Sequence, residues 1–335
     1  MLQLIALTVS APALHIAITG SSQGIGAAAA KVLISEGHEV YHACRSAERA
    51  EAARLAAGGG TALVCDLADL DSVRGFAEAL RHAAPRLDVL CLNAAVAPSA
   101  KATVAPRTKQ NIEECIGVNH LGHFLLACLL QPHLSANDGA ARIVITASSV
   151  HDPEQPGGAV GGKGGAALGS LGGLREGLRD PMGATMVDGA ATYDGSKVYK
   201  DSKLANLLFA GEAQRRWGGA GISVRTFNPG FIPSSGLFRE PRKDNFLGAT
   251  AFTFFARLAG FAVPIEVGGE RLAYLASAPD AQIPPGSYLG GPTGSRGTTR
   301  EDGFGDGLLS AEARDEDKAR LLWELSAAAV GVASA

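Results

Sequence analysis

The stretch from Thr192 to Asn206, TYDGSKVYKDSKLAN, holds two tyrosine–lysine pairs of equal spacing, Tyr193/Lys197 and Tyr199/Lys203. Its pattern predicts a helix, and residues four apart share one helical face. Either pair can therefore present a phenol and an ammonium to the same cleft. An ammonium beside a phenol favours the phenolate, so the tyrosine pKa is expected below its usual value of about 10, giving a usable proton donor near neutral pH. Spacing alone does not choose between the pairs, and it also suits an ordinary solvated helix face.

A second chemical signal lies near the start. In TGSSQGIG, Gly20, Gly24 and Gly26 fall between a buried strand (14–20) and a helix (24–37), with Ser21, Ser22, Gln23 and Ile25 completing the turn. Glycines let the backbone bend sharply and approach a pyrophosphate, to which the helix start offers free N–H groups. Strand, glycines and helix arrive in the order that dinucleotide binding needs. At the end of the second strand stand Cys44, Arg45 and Ser46, with Arg49 nearby and no acid. An acid there would bind a ribose 2′-hydroxyl, whereas arginine accommodates a 2′-phosphate. NADPH is the expected cofactor.

These groups need a scaffold, and the chain alternates strands (14–20, 38–45, 61–67, 87–95, 141–149, 221–230) with helices, one spanning roughly 108–131. Near-continuous apolar strands between helices predict an α/β fold: a Rossmann-type, doubly wound parallel sheet with helices on both faces. We read one domain over 1–335, without linker or repeat. The apolar start, 1–13, reads as a targeting remnant or a short extra strand, and no run reaches the ~18 apolar residues of a membrane span. Hydrophobic residues make up 46% and charged residues 19%, as in a globular chain with a sizeable core. A net charge of −3 with scattered basic residues gives no nucleic-acid footprint. The five cysteines are odd in number and lack metal spacing, which predicts buried free thiols and no metal site.

The TGxxxGxG turn and the run YxxSKxAN (Tyr199, Ser202, Lys203, Ala205, Asn206) resemble the short-chain dehydrogenase/reductase family. That resemblance selects Tyr199/Lys203, and leaves Tyr193 to line the approach to the site. It further implies Asn119 of VNHLGHF as helper of a proton-relay water and Ser148 of ITASSV as partner of the reacting group. Ser149 is the competing register. It also implies Asp66 and Leu67 near the adenine, and Asn93 behind the cofactor. Lys203 would hold the nicotinamide ribose, and Pro229 and Gly230 would follow the sixth strand at the cofactor. Leu92 departs from the family's usual NNAG.

About fifty residues separate Ser148 from Tyr199, and the glycine-rich excess reads as a long loop inserted over 152–192. With GLFRE (236–240) and the C-terminal segments PIEVGGERLAYLASAP and EARDEDKARLLWELSAAAVG, this is similar to the light-dependent NADPH:protochlorophyllide oxidoreductases from Leu14 to about Val332. The resemblance implies photoreduction of the C17–C18 double bond of a tetrapyrrole, with Tyr199 as proton donor. Phe231 and Phe238 would lie beside the pigment, under a helical lid over 236–270 whose segment 245–261 supplies five phenylalanines. It also implies peripheral contact with plastid membranes, or a cytoplasmic or thylakoid-associated place in a bacterium, and leaves homo-oligomerisation open. Two positions depart from the family: Phe231 replaces its usual cysteine and Val150 its threonine. The rivals are a dark carbonyl or retinol-type reductase on the same scaffold and a catalytically weak protein that binds pigment and NADPH.

Overall fold

Strands this apolar must be covered on both faces, and the computed structural model does so. It describes residues 12–137, 141–159, 165–176, 178, 186–238, 250, 253–254, 256 and 258–334. The strands are β1 (His15–Thr19), β2 (Glu39–Cys44), β3 (Thr61–Val64), β4 (Val89–Leu92), β5 (Ala141–Thr146), β6 (Ile222–Phe227), β7 (Tyr288–Gly290) and β8 (Gly305–Asp306). They form one sheet in the order β3-β2-β1-β4-β5-β6-β7-β8, parallel except for the last pair. The order reverses between β1 and β4, and the crevice at the carboxyl ends of such strands is where doubly wound sheets bind ligands.

The helices are α1 (Gly24–Ser35), α2 (Ala47–Ala57), α3 (Leu70–Ala83), α4 (Glu114–Ile116), α5 (His123–Ser135), α6 (Pro156–Ala159), α7 (Gly172–Arg175), α8 (Gly195–Trp217), α9 (Ile265–Ser277) and α10 (Glu316–Val330). A π turn, Gly117–Gly122, joins α4 to α5. One face of the sheet packs Phe76, Leu80, Phe124, Leu204, Leu208 and Trp323; the other packs Ile16, Ile18, Leu33, Leu272 and Leu275.

Three expectations change. The helix expected over 108–131 starts at Glu114, because the buried Glu113 carboxylate accepts the N–H groups of Cys115 (3.0 Å) and Ile116 (2.8 Å) and so caps it there. The described parts of the 152–192 insertion are not a loose loop: Leu168, Leu171, Leu174, Leu178, Met186 and Val187 are buried in the main core. Of the expected lid, residues 239–249 and several up to 257 lie outside the described residues, as do 1–11 of the apolar start. Residues 265–270 belong to α9, which packs on α1 with Gly269 against Ala28. They cover the sheet and are not part of a lid. All five cysteines are free, and among the described residues no helix is long and apolar enough to cross a membrane.

Candidate active site

α8 begins where Asp194 accepts the N–H groups of Ser196 and Lys197, both at 2.9 Å. One turn on, Tyr199 and Lys203 share a face. Lys203 is 2% exposed, its Nζ donates to the Thr146 carbonyl at 2.9 Å, and it lies 5.6 Å from the centre of the Tyr199 ring. Burial pushes the Lys203 ammonium down to about 8. Tyr199, partly exposed and packed on the main core, moves opposite to expectation: burial, and next the neighbouring Cys115 thiol, push its pKa up. Desolvation of a phenolate dominates, and the Lys203 ammonium, bonded to the Thr146 carbonyl and 5.6 Å from the ring centre, does not offset it. Tyr199 is thus held as a neutral phenol that retains its proton.

The helper residues gather beneath this pair. Asn119, fully buried in the π turn, donates through Nδ2 to the Val96 carbonyl (2.9 Å) and Ser202 Oγ (3.0 Å), and its Oδ1 accepts the Val96 N–H. π turns recur at functional sites. Ser202 Oγ in turn donates to the Tyr199 carbonyl at 2.7 Å. Cys115 joins the group with Sγ 3.3 Å from Asn119 Nδ2, although it is four residues away in sequence from any expected site residue. Burial lifts its thiol pKa well above the ordinary value and its contacts are to Val96, Asn119 and Ser202, so it is no proton donor in place of the missing cysteine. Ser148 stands half-buried after β5, as expected, its Oγ accepting the Val150 N–H at 3.4 Å. Its carbonyl accepts from His151 Nδ1 at 2.7 Å.

The rival pair has a different task. Tyr193 is 5% exposed and donates to Glu113 Oε1 at 2.9 Å, which removes it from the approach to the site and makes it part of the core. Lys197 pairs with Asp188 (3.0 Å) and Asp201 (2.6 Å) and donates to the Ala167 carbonyl, while Asp201 accepts the Ala167 N–H. Burial works against the Lys197 charge, and Asp201 and Asp188 more than offset it, so its pKa is raised. Lys200 donates to the Gly158 carbonyl. The lysines on either side of Tyr199 therefore fasten the insertion to the catalytic helix.

The glycine turn fits a dinucleotide. Gly20 (φ +69°) and Gly24 (φ +59°) adopt left-handed conformations. Gln23 does not cap α1 with its side chain, so first-turn N–H groups face the crevice without that acceptor. Ser21 departs from a contact role for its side chain: it is buried, with Oγ 3.2 Å from His42 Nδ1. Ser22, Gln23 and Ile25 remain at least partly exposed along the turn. Arg45 is exposed at the end of β2 and Arg49 half-buried in α2, which suits a 2′-phosphate. At the end of β3, Asp66 accepts the Ala68 N–H through Oδ1, and Leu67 is buried. Asn93 joins three strand ends: its Nδ2 donates to the Thr19 carbonyl, its N–H to Thr19 Oγ1, and its Oδ1 accepts from Thr146 Oγ1. A Cβ on Gly26 would lie 2.7 Å from both Gly20 O and Asn93 Nδ2. Gly26→Ala is therefore expected to weaken NADPH binding by about tenfold or more. A fluorescence titration that finds unchanged affinity would contradict this.

After β6, Gly230 (φ +89°) turns the chain, and Arg271 holds the turn by donating to the Pro229 carbonyl at 3.0 Å. Arg271 also donates to the Gly297 and Ser295 carbonyls and lies 4.6 Å over the Phe304 ring, so carbonyls and a ring face hold this buried cation, with the Asp302 carboxylate also favouring its charge. No sequence signal marked it. Phe231 is half-buried beside this turn and its carbonyl accepts the Val263 N–H; Phe238 falls in a short 3₁₀ turn, Gly236–Phe238.

A parallel sheet, a glycine turn at its switch point and a Tyr–Lys pair over it define a short-chain dehydrogenase/reductase. The short chain dehydrogenase family model matches residues 14–167. The chain is 40% identical over 328 residues to a protochlorophyllide reductase of Avena sativa, covering 95% of this chain and 100% of that one. It is equally similar, at 40%, to the chloroplastic protochlorophyllide reductase A of Triticum aestivum, covering 95% and 80%. Among solved structures, an uncharacterised protein from Mycobacterium paratuberculosis matches with a TM-score of 0.67 at 28% identity, over 96% of this chain and 95% of that one. A 3-ketoacyl-(acyl-carrier-protein) reductase from Brucella melitensis, complexed with NADH, shares the fold at a TM-score of 0.60 and 19% identity, over 84% and 98%. The chain belongs to the protochlorophyllide reductase family.

Proposed function

We propose that this protein reduces the C17–C18 double bond of protochlorophyllide in the light, yielding chlorophyllide for chlorophyll biosynthesis. The observation that carries the reading is 40% identity to a protochlorophyllide reductase across 95% of the chain, a span too wide to be confined to the cofactor motifs. Bound NADPH supplies the hydride. The turn of Gly20, Gly24 and Gly26 takes its pyrophosphate, Arg45 and Arg49 its 2′-phosphate, and Asp66, Leu67, Asn93, Pro229 and Gly230 border it. Tyr199 gives a proton to the pigment, and Lys203 restores charge balance beside it and holds the ribose. Asn119 and Ser148 orient the proton path and the reacting group.

A neutral phenol with a raised pKa is a weak acid at rest, so the acceptor must be strongly basic when the proton moves. A light-driven reduction that leaves electron density on a ring carbon meets that demand. Phe231 cannot donate a proton, which leaves Tyr199 and water. Phe231→Cys is expected to raise turnover several-fold if a second donor is limiting, and an unchanged rate would reject that limit. Phe231 is also the observation that favours the second reading, a slow or silent homologue that binds pigment and NADPH.

The wheat relative is chloroplastic. A plastid place for this chain at the stroma or thylakoid surface, its bacterial equivalent, peripheral membrane contact and homo-oligomerisation belong to the same proposal. NADPH oxidation followed in the dark and under illumination, with pigment or with retinal-type carbonyls, tests it. Oxidation with pigment in light alone supports the reading, and dark turnover of carbonyls without pigment chemistry would replace it.

A further inference from the structure

One imidazole joins the cofactor turn to the catalytic helix. His123, at the start of α5, is 2% exposed and lies between Thr19, at the end of β1, and Asn119, in the π turn. Its Nε2 is 2.9 Å from Thr19 Oγ1 and its Nδ1 is 3.1 Å from the Asn119 carbonyl. A carbonyl oxygen can only accept, so Nδ1 carries the proton and Nε2 is an acceptor; at 2.9 Å it is the nearer of two acceptors for the Thr19 hydroxyl proton, the Cys91 carbonyl being 3.3 Å away. The Thr19 oxygen then accepts the N–H groups of Asn93 (2.9 Å) and Ala94 (3.0 Å). That strand end lies hard against the glycine turn, since a Cβ on Gly20 would be 2.9 Å from Ala94 Cβ.

We propose that His123 is a positioning residue whose two nitrogens serve two sites: Nε2 sets the cofactor turn through Thr19, and Nδ1 sets the Asn119 peptide beneath Tyr199 and Lys203. The bonds continue on both sides. Asn93 Oδ1 accepts from Thr146 Oγ1, the Thr146 carbonyl accepts from Lys203, and Asn119 Nδ2 donates to Ser202, the neighbour of Lys203. His123 thus closes a ring of hydrogen bonds that starts and ends on α8. Burial pushes the imidazole down to about 3, so it stays neutral and keeps this donor–acceptor polarity at working pH.

The turnover arm of the test rests on the proposed photoreduction; the binding and spectroscopic arms do not. His123→Asn keeps a donor at the δ position and loses the reach to Thr19. His123→Gln moves the amide to the ε position and loses the Asn119 carbonyl. For His123→Asn the expected result is an NADPH Kd raised about tenfold with turnover at saturating NADPH within about twofold of wild type. For His123→Gln it is a Kd within about twofold and turnover lowered about tenfold. Losses of affinity and turnover in the same proportion in both variants, or a fall in Tm with neither parameter moved, would overturn the proposal. Should the variants not fold, ¹⁵N NMR of histidine-labelled wild type decides: a neutral Nδ1–H tautomer from about pH 5 to pH 9 supports it, and the Nε2–H tautomer or a titrating ring overturns it. If wild type folds and binds NADPH but never photoreduces pigment, the proposed function fails, while affinity and tautomer still judge His123.

Discussion

Replacing Tyr199 by phenylalanine is expected to lower light-driven turnover by about 10²–10⁴-fold, the usual contribution of a positioned general acid. NADPH and pigment affinities should stay within about twofold, because the only atom lost is the hydroxyl oxygen. The ring itself packs on the main core and lies by Lys203, and phenylalanine preserves both contacts. The phenol is held protonated by burial, so its proton is present over the whole working pH range. Loss of turnover with intact binding is the signature of an interaction made in the transition state and not in the ground state. The matching change at the rival pair, Tyr193→Phe, should instead act on stability, since it leaves the buried Glu113 carboxylate without one of its three donors.

The second large effect belongs to Lys203. Its ammonium is buried with a carbonyl as its protein partner and titrates at about 8. If turnover needs the cation, activity is expected to fall about tenfold per pH unit above about 8. Lys203→Met should abolish that alkaline limb together with most of the activity. Stability moves the other way. The folded-state pKa of about 8 lies below the unfolded value of 10.5, so between these values the unfolded chain binds the proton and the folded chain does not. The cost of burying the ammonium is fully present below pH 8 and is relieved as pH rises toward 10.5, by roughly 3 kcal/mol at most. Denaturant unfolding compared between wild type and Lys203→Met measures it. Activity and stability falling together above pH 8 would contradict the assignment.

The difference between Tyr199 and Tyr193 shows how far residues alone carry the reading. Periodicity and spacing predict both pairs on one helix, but α8 starts at Gly195 after the Asp194 cap, so Tyr193 precedes it and only Tyr199 and Lys203 share its face. The run after Tyr199 selects the same pair. The strands β1 to β6 were legible from apolar runs, and the glycine turn from its order between strand and helix. Burial was not legible: a lysine four residues away predicts a lowered tyrosine pKa only if desolvation is small, and here it dominates. Partners distant in sequence were hidden as well. Lys197 meets Asp188 and Ala167 across the insertion, Cys115 reaches Asn119 and Ser202, and His123 reaches Thr19 across 104 residues. The glycine-rich insertion reads as a loop because glycines interrupt its apolar residues, yet it contributes Leu168, Leu171 and Leu174 to the core. The short strands β7 and β8 have too few residues to show a period.

The central claim is that this fold carries out a light-driven reduction of a tetrapyrrole with Tyr199 as donor. The most direct measurement is the absorption spectrum of purified protein mixed with NADPH and protochlorophyllide, recorded in the dark and again after illumination. The account predicts an unchanged substrate spectrum in the dark, conversion to the chlorophyllide spectrum after light, and no conversion in Tyr199→Phe. A substrate spectrum that stays unchanged in wild type after light, with pigment and NADPH both bound, would contradict it.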